Sequence, residues 1–236
     1  SVSGHHGTLV GDPVRVSGKV GGALELDGDG DYVDCGGAPA DPNVRTWADL
    51  TSEITLAAWV QGSFDKPWQS IVTKGDNSWR LIRYNLTDNA IFALNNVGDA
   101  ISGSTGPVSG SQWRHLVGVY DGSQIRLYVD GMLAASAIAP EGQIAINDYN
   151  VRIGSDEQFD GQREFAGRMD EVRLYEIGLT DEQVLDLFIA EGGSSSCGQN
   201  FLPGDVDGDC YVTLDDVAIL AQNWMECNDI TNPACW

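Results

Sequence analysis

The chain is poor in basic side chains: its 236 residues include 13 Lys and Arg against 35 Asp and Glu, which gives a formal net charge of −22 at pH 7. Nucleic acids and anionic membrane surfaces attract proteins with a cationic face, so neither is expected as a partner. The sequence also lacks an apolar run of the roughly 20 residues that a membrane helix requires. The excess of carboxylates favours calcium, a hard cation that prefers oxygen ligands.

The five cysteines form no Cys-x-x-Cys pair and four of them lie in the last 40 residues without a histidine nearby, so a zinc site is not expected. Four cysteines allow three connectivities, and the sequence does not distinguish them. The pairing that we favour is Cys227–Cys235 with Cys197–Cys210, which leaves Cys35 odd. Disulfides form in oxidising compartments. The cysteines therefore favour a secreted protein, and since no signal peptide is recognisable, we expect the sequence to be its mature form.

Short apolar or alternating segments separated by turn residues run from Ala23 to Tyr175 and predict an all-β antiparallel sandwich. The predicted strands are 23–27, 54–60, 70–73, 79–84, 90–94, 113–120, 125–129, 151–153 and 171–175. Asp130-Gly131 stands between two strand-like runs, the first of which is 125–129, and predicts a two-residue hairpin.

One helix is predicted after the strands, because Thr180–Gln183 is a capping box followed by apolar residues at helical spacing. The run Gly192–Ser196 reads as a flexible linker. We therefore predict a sandwich domain over residues 1–191, a linker over 192–203 and a small C-terminal tail over 204–236.

Four segments together resemble the laminin-G-like, concanavalin A-like jelly-roll family, to which the pentraxins are related. They are His6–Gly11, Gly22–Gly28 with Asp31–Asp34, Ile54–Trp59, and Gly167–Tyr175 leading into Leu179–Gln183. The resemblance covers residues 1–191. It implies a two-sheet jelly roll whose function is to bind carbohydrate or protein rather than to catalyse a reaction. Fold alone does not fix function, so the sites need separate arguments.

Members of this family usually begin with a strand before the loop that here reads Ser1–His6, and the resemblance implies that this strand is missing. A sheet without it exposes unpaired backbone groups beside an apolar groove. The chain's own tail or a strand of a neighbouring molecule then fills the gap, and head-to-tail donation between copies produces a filament. A trimmed sequence or a shifted alignment is the alternative explanation.

Two segments, Lys74–Asn77 and Gly154–Gln158, resemble those that hold calcium in pentraxins. The resemblance implies an ion at the concave face of one sheet that contacts a sugar or a phosphorylated ligand. The implied calcium ligands are Asp76, Asn77, Asp156, Glu157 and Gln158. Oxygen donors from two converging loops suit calcium, but the same residue types also form ordinary turns.

Asp170 matches an aspartate that helps to hold a structural calcium in laminarinase-like enzymes, and the resemblance implies Asp27 and Asp31 as its partners. The alternative is that Asp170 ends a turn and pairs with Arg168 or Arg173.

The tail segment Asp205–Asp216 has acids at positions 1, 3, 5 and 12 of an EF-hand-like loop, and a helix is predicted over Asp215–Trp224. Gly208 at position 4 and aspartate at position 12 are departures that resemble dockerins. The implied calcium ligands are Asp205, Asp207, Asp209, Tyr211, Thr213 and Asp216. Dockerins that bind cohesins carry two such loops and this chain has one, so the tail is equally explained as a connector stabilised by calcium and disulfides.

Trp47, Trp68 and Trp79 lie in or beside loops and are candidates for stacking on sugar rings, and Asn85 begins a glycosylation sequon. Glycosidases of this fold need two or three acids spaced on one strand, which the predicted strands lack. His115 has no nucleophile beside it and is expected to serve in packing. We therefore expect no enzymatic activity.

The sequence thus predicts a secreted, non-catalytic, calcium-binding recognition or adhesion module whose partner is a glycan or an extracellular protein. The alternative is a self-assembling subunit of an extracellular filament or matrix, completed by strand donation between protomers. A glycoside hydrolase is the least favoured function.

Overall fold

The computed structural model describes residues 5–41, 43–63, 65–103, 108–139 and 142–193, together with Leu214 and Val217, which are helical and exposed. The chain divides into two compact units, Ser1–Gly192 and Gly193–Trp236. The predicted calcium ligands of the tail loop and the four tail cysteines lie outside the described residues. No helix in the described part of the chain is both long and apolar enough to span a membrane.

The described part of the first unit contains fourteen strands and one α-helix, α1 (Asp181–Ala190). The strands are β1 (Thr8–Val10), β2 (Val14–Ser17), β3 (Gly22–Asp27), β4 (Tyr32–Asp34), β5 (Ile54–Gly62), β6 (Ser70–Thr73), β7 (Trp79–Arg83), β8 (Ala90–Leu94), β9 (Gly98–Ile101), β10 (Gly110–Tyr120), β11 (Gln124–Val129), β12 (Met132–Ile138), β13 (Arg152–Ile153) and β14 (Ala166–Tyr175).

The strands form two antiparallel seven-stranded sheets, which confirms the predicted jelly-roll sandwich. The front sheet has the order β1-β4-β13-β6-β7-β8-β9, and the back sheet has the order β12-β11-β10-β5-β14-β3-β2. The main core lies between the sheets and includes Leu56, Trp79, Phe92 and Leu127. Because successive side chains of a strand point to opposite faces, each sheet also has an outer face.

The back sheet is covered on its outer face by α1. Thr180 caps the helix and Gln183 returns the capping interaction, as the sequence predicts. Val184 and Phe188 are the buried residues of the helix, and Val184 packs in a second apolar cluster with Val117 and Tyr128 of the sheet.

The predicted hairpin between β11 and β12 is confirmed at Asp130 and Gly131, whose φ angles are +52° and +78°. Two consecutive left-handed residues match the right-handed twist of the flanking strands, which is why Asp-Gly is favoured at this position.

Candidate functional site

The outer face of the front sheet is the strongest candidate surface, and strand β7 shows how it is built. Trp79 and Leu81 belong to the core between the sheets. Their neighbours Arg80 and Ile82 therefore point to the outer face. The sheet register continues this alternation across β8 and β9.

Two parallel rows of side chains cross this outer face, one polar and one apolar. The polar row consists of Arg80 and Asp99 on either side of the small residue Ala93, and the apolar row is Ile82, Ile91 and Ile101. Trp68 and Tyr84, both half-buried, pack against the apolar row. Their ring centroids are 5.5 Å apart in an edge-to-face arrangement, which aromatic pairs prefer because of their quadrupoles.

A polar hollow of about 440 Å³ opens at the end of the polar row, lined by Asp76, Arg80 and residues 93–99. The turn between β8 and β9 forms its rim, where Asn96 has a φ of +70°. The hollow therefore offers a guanidinium, carboxylates and side-chain amides, which donate to and accept from hydroxyl groups.

Arg80, in β7, is held in place by Asp76, which lies four residues earlier in the turn between β6 and β7. Its Nε lies 3.2 Å from Asp76 Oδ1, and its Nη1 donates to the backbone carbonyl of Asp76. Burial lowers the pKa of Arg80, and the Asp76 carboxylate opposes that shift. Arginine nevertheless remains a cation in proteins, so the hollow keeps a fixed donor group.

The two pentraxin-like segments do converge beside this hollow, but an arginine stands between their carboxylates. Arg163 Nη2 lies 3.1 Å from Asp76 Oδ2, and its Nη1 lies 3.3 Å from Asp156 Oδ2. The Gln158 side chain accepts a bond from the Asp76 backbone amide at 2.9 Å. Burial raises the pKa of Asp156 and Arg163 opposes that rise. A calcium ion held by both carboxylates would have to displace the guanidinium, so these residues do not fit an open calcium site.

The other two predicted ligands of this set have different partners. Asn77 accepts a hydrogen bond from the Asn147 side chain at 2.6 Å, and Glu157 accepts one from the backbone amide of Asn150. They therefore link the two segments to the loop before β13. The two pentraxin-like segments therefore lie together, as the resemblance implies, and hydrogen bonds and ion pairs hold them in place.

A different acidic cluster forms at the start of the chain, where Asp12, Asp27 and Asp31 bring carboxylate oxygens within 4.8 Å of one another. Asp31 is only 3% exposed and accepts bonds from the backbone amides of Asp12 at 2.8 Å and Asp27 at 3.2 Å. Gly11 is required beside it, because a Cβ there would lie 2.3 Å from Asp31 Oδ1. Three carboxylates at this spacing suit calcium, and the structure thus adds Asp12 to the predicted pair.

Asp170 does not join that cluster. Asp27 pairs with Ala166 of β14, and Asp170 lies four residues further along the strand, about 13 Å away at 3.3 Å per residue. Its carboxylate instead accepts bonds from the backbone amides of Val20 at 2.9 Å and Glu171 at 2.8 Å. Asp170 therefore organises the turn between β2 and β3.

The prediction that Trp79 stacks on a ligand is wrong. Its side chain is fully buried, and its Nε1 donates to the carbonyl of Ala48 at 3.1 Å. Trp79 is the first residue of β7 and shares the core face with Leu81, as strand alternation requires. Trp68 is half-buried on the outer face, and Asn85 is exposed in the adjoining turn.

Five residues of these sites were not found by sequence reasoning: Asp12, Arg80, Tyr84, Asp99 and Arg163. Arg80 could have been found from the alternation of β7, because it lies between two apolar residues that face the core. Arg163 and Asp12 carry no local signal, since each reaches its partners through the tertiary fold.

Comparisons with known proteins agree with this architecture. Residues 27–185 match the concanavalin A-like lectin/glucanases superfamily, and none of the curated proteins compared with the chain matches it. One similar solved structure is domain 4 of the extracellular arabinanase AbnA from Geobacillus stearothermophilus, in complex with arabinotriose. Its TM-score is 0.60 at 20% sequence identity, and the match covers 77% of this chain and 87% of the arabinanase domain.

Two further solved structures are similar in fold. The binding domain of Paraclostridial Mosquitocidal Protein 1 has a TM-score of 0.58 at 16% identity and covers 82% of this chain, which spans 50% of that domain. A Trypanosoma rangeli sialidase mutant has a TM-score of 0.57 at 18% identity, and the match covers 77% of this chain and 29% of the sialidase chain. The match over residues 27–185, on a jelly roll of two seven-stranded sheets, shows that the chain belongs to the concanavalin A-like lectin/glucanases superfamily.

Proposed function

We propose that this chain is a non-catalytic, carbohydrate-binding module of an extracellular protein, and that the outer face of β7, β8 and β9 is its binding surface. The observation that carries the proposal is the polar hollow of about 440 Å³ on the same face as the half-buried pair Trp68 and Tyr84.

The face matches the two surfaces of a sugar. The C–H face of a pyranose or furanose ring stacks on aromatic side chains, and its hydroxyl edge needs donors and acceptors such as Arg80 and Asp99. Arg80 and Tyr84 are four residues apart along the chain, which corresponds to about 13 Å for extended backbone. A ligand that uses both ends of the face is therefore an oligosaccharide.

The acids of this face are poorly suited to glycoside hydrolysis, which needs two carboxyl groups with different protonation states on either side of the scissile bond. Asp76 is an ion-pair partner of both Arg80 and Arg163. His115 is fully buried beneath α1, away from this face. The proposal of a binding module is supported further by the arabinanase domain that was solved with arabinotriose.

The test is calorimetric titration of the full chain with arabinotriose, followed by a panel of other oligosaccharides. We expect binding that weakens about tenfold in Trp68→Ala and in Arg80→Gln, which corresponds to about 1.4 kcal/mol. Trp47→Ala is the matched control, because Trp47 is also half-buried but stacks on His5. Arg168→Gln removes a positive charge on the back sheet and therefore controls for the charge that Arg80→Gln removes. The absence of heat with every sugar, or equal losses in the controls, would contradict the proposal.

We also propose that the module uses calcium, at the tail loop predicted from the sequence and at the cluster of Asp12, Asp27 and Asp31. The spacing of carboxylate oxygens within 4.8 Å supports the second site. An ion there would relieve the repulsion among three acids and fix the segments that carry them, the end of β3 and the connections before β2 and β4.

A second candidate function, a self-assembling subunit completed by strand donation, is favoured by the open side of β14. On one side β14 pairs with β5 over Gly167–Asp170 and, after a register shift, over Arg173–Tyr175. On the other side it pairs with β3 only from Ala166 to Met169. Among the described residues, no strand pairs with residues 172–175 on that second side. A groove of about 290 Å³ opens at the near end of this segment, beside residues 169–172, and is lined mainly by apolar side chains that include Leu24, Ile153 and Val172.

An extended donor segment would add backbone hydrogen bonds to β14 and place alternate apolar side chains in this groove. The test uses a labelled peptide that alternates valine and threonine, measured by fluorescence anisotropy. We expect Val172→Lys to abolish its binding, and Val14→Lys, a matched change on an exposed strand, to leave it intact. Equal binding to both variants would exclude the groove as an acceptor.

A further inference from the structure

The two aromatic residues of the proposed binding surface lie on separate loops. Trp68 lies in the connection between β5 and β6, and Tyr84 begins the turn between β7 and β8. One backbone hydrogen bond joins the two loops directly, from the amide of Trp68 to the carbonyl of Asn85 at 3.2 Å. The spacing of the aromatic pair therefore depends on how firmly these loops are held together.

Both residues of that hydrogen bond have an unfavourable backbone conformation. The φ angles of Trp68 and Asn85 are +59° and +51°, in the left-handed region where a side chain crowds the backbone. Asparagine tolerates this region, but a residue as bulky as tryptophan rarely adopts it. Such a conformation costs free energy and persists only where neighbouring contacts impose it.

Arg83, the last residue of β7, makes contacts of that kind with both loops. Its Nη1 donates to the carbonyl of Lys66 at 2.6 Å, and its Nε donates to the carbonyl of Thr87 at 2.7 Å. Its backbone amide donates to the carbonyl of Gln69 at 2.8 Å. Lys66 and Gln69 flank Trp68, and Thr87 belongs to the other loop. Arg83 therefore fixes the loop of Trp68 on both sides and connects it with the turn between β7 and β8.

The position of Arg83 separates it from any ligand on the outer face. It lies two residues after Leu81 and so shares the core face of β7, and it is only 5% exposed. A buried guanidinium is costly unless acceptors surround it, and its planar shape presents the donors in fixed directions. A lysine has the same charge but presents its donors from one atom on a flexible chain.

We propose that Arg83 is the positioning residue of the binding surface: its guanidinium keeps the loops of Trp68 and Tyr84 at the spacing that a sugar requires. This inference rests on the function proposed above. A surface that already has its binding conformation loses less freedom when a ligand binds. Arg83 therefore sets the affinity for sugar through the aromatic pair, without touching the sugar.

The experiment compares Arg83→Lys with Arg152→Lys in the full chain. Arg152 is the matched control, because it is also buried in the front sheet but contacts Asp160 at 2.6 Å and the ring of Tyr32. Calorimetric titration with arabinotriose should give about tenfold weaker binding for Arg83→Lys and wild-type binding for Arg152→Lys. Equal losses in the two variants, or no loss in Arg83→Lys while the wild type binds, would overturn the proposal.

A second readout needs no sugar. The chain is labelled with fluorotryptophan, and the fluorine resonance of Trp68 is assigned from its loss in Trp68→Phe. We expect this resonance to shift or broaden in Arg83→Lys while that of Trp47 stays unchanged. In the wild type, the amide of Trp68 should be protected from hydrogen exchange, which keeps the test valid if Arg83→Lys fails to fold. An unchanged Trp68 resonance, or an unprotected Trp68 amide, argues against the role of Arg83.

The two readouts separate this proposal from the function on which it rests. If the wild type binds no sugar, the proposed function fails, and the resonance and amide exchange of Trp68 still decide whether Arg83 holds the loop. In the double variant, the losses of affinity from Trp68→Ala and Arg83→Lys should not add, because both disrupt the same aromatic pair. Additive losses would show that Arg83 acts elsewhere.

Discussion

At the scale of single residues, Glu191 shows how a buried acid is kept ionised. Its carboxylate accepts hydrogen bonds from Trp59 Nε1 at 2.9 Å and from Arg173 Nε, and it lies 3.4 Å from His115 Nε2. Burial raises the pKa of Glu191, but the bonds to His115 and Arg173 outweigh burial and leave it below its ordinary value. Since Glu191 is the C-cap of α1, this carboxylate ties the end of the helix to the back sheet.

The substitution Glu191→Gln should therefore lower the free energy of unfolding by about 2 kcal/mol at pH 7, the contribution of hydrogen bonds to a charged group. Because the folded-state pKa of Glu191 lies below 4.5, its contribution is complete above that pH and is lost as the pH falls through the lowered value. Urea unfolding at pH 7 and pH 3 measures both effects. The variant should be less stable at pH 7 and lose less stability on acidification.

Glu171→Gln is the control for this prediction, because Glu171 also pairs with Arg173 but at a more exposed position. An exposed ion pair contributes little, so this variant should unfold almost like the wild type. Equal destabilisation by the two substitutions would show that the buried carboxylate has no special role.

At the scale of elements, the sequence predicts those with a strong local signal. β6 and β8 begin and end where the apolar runs do, and α1 begins directly after its capping threonine. The hairpin signal predicts a strand after Gly131, but the bounds of β12 were not predicted, because its four small residues among seven give neither strong alternation nor high β-propensity. Its place in the sheet comes from the Asp130-Gly131 hairpin, which returns the chain beside β11.

The residues of the candidate sites also divide into those that the sequence indicates and those that only the tertiary fold brings together. The convergence of the loops at Asp76 and Asp156 was implied by a family resemblance, but the ion pairs with Arg163 depend on a residue that no spacing rule connects with Asp76. The position of Asp12 beside Asp31 likewise depends on how β1 and β2 are connected. The error at Trp79 and the omission of Arg80 were both avoidable, since the alternation of β7 places Trp79 in the core and Arg80 on the outer face.

At the scale of the whole molecule, the charge of −22 makes calcium the ligand with the broadest expected effect. The two proposed calcium sites lie in different units of the chain, the carboxylate cluster in Ser1–Gly192 and the tail loop in Gly193–Trp236. Calcium that binds only folded protein stabilises each unit by mass action. The effect of calcium can therefore be measured separately for each unit.

Asp209→Asn and Asp31→Asn separate the two sites. We expect calcium to slow proteolysis of the tail in the wild type and in Asp31→Asn but not in Asp209→Asn, because crowded carboxylates without an ion are costly to hold together. Conversely, calcium should raise the melting temperature of the first unit in the wild type and in Asp209→Asn, and less in Asp31→Asn. Magnesium controls for unspecific screening, since its smaller ion demands stricter geometry. A digestion pattern unchanged by excess chelator would exclude the tail site, and a melting temperature indifferent to calcium would exclude the cluster, each independently of the other.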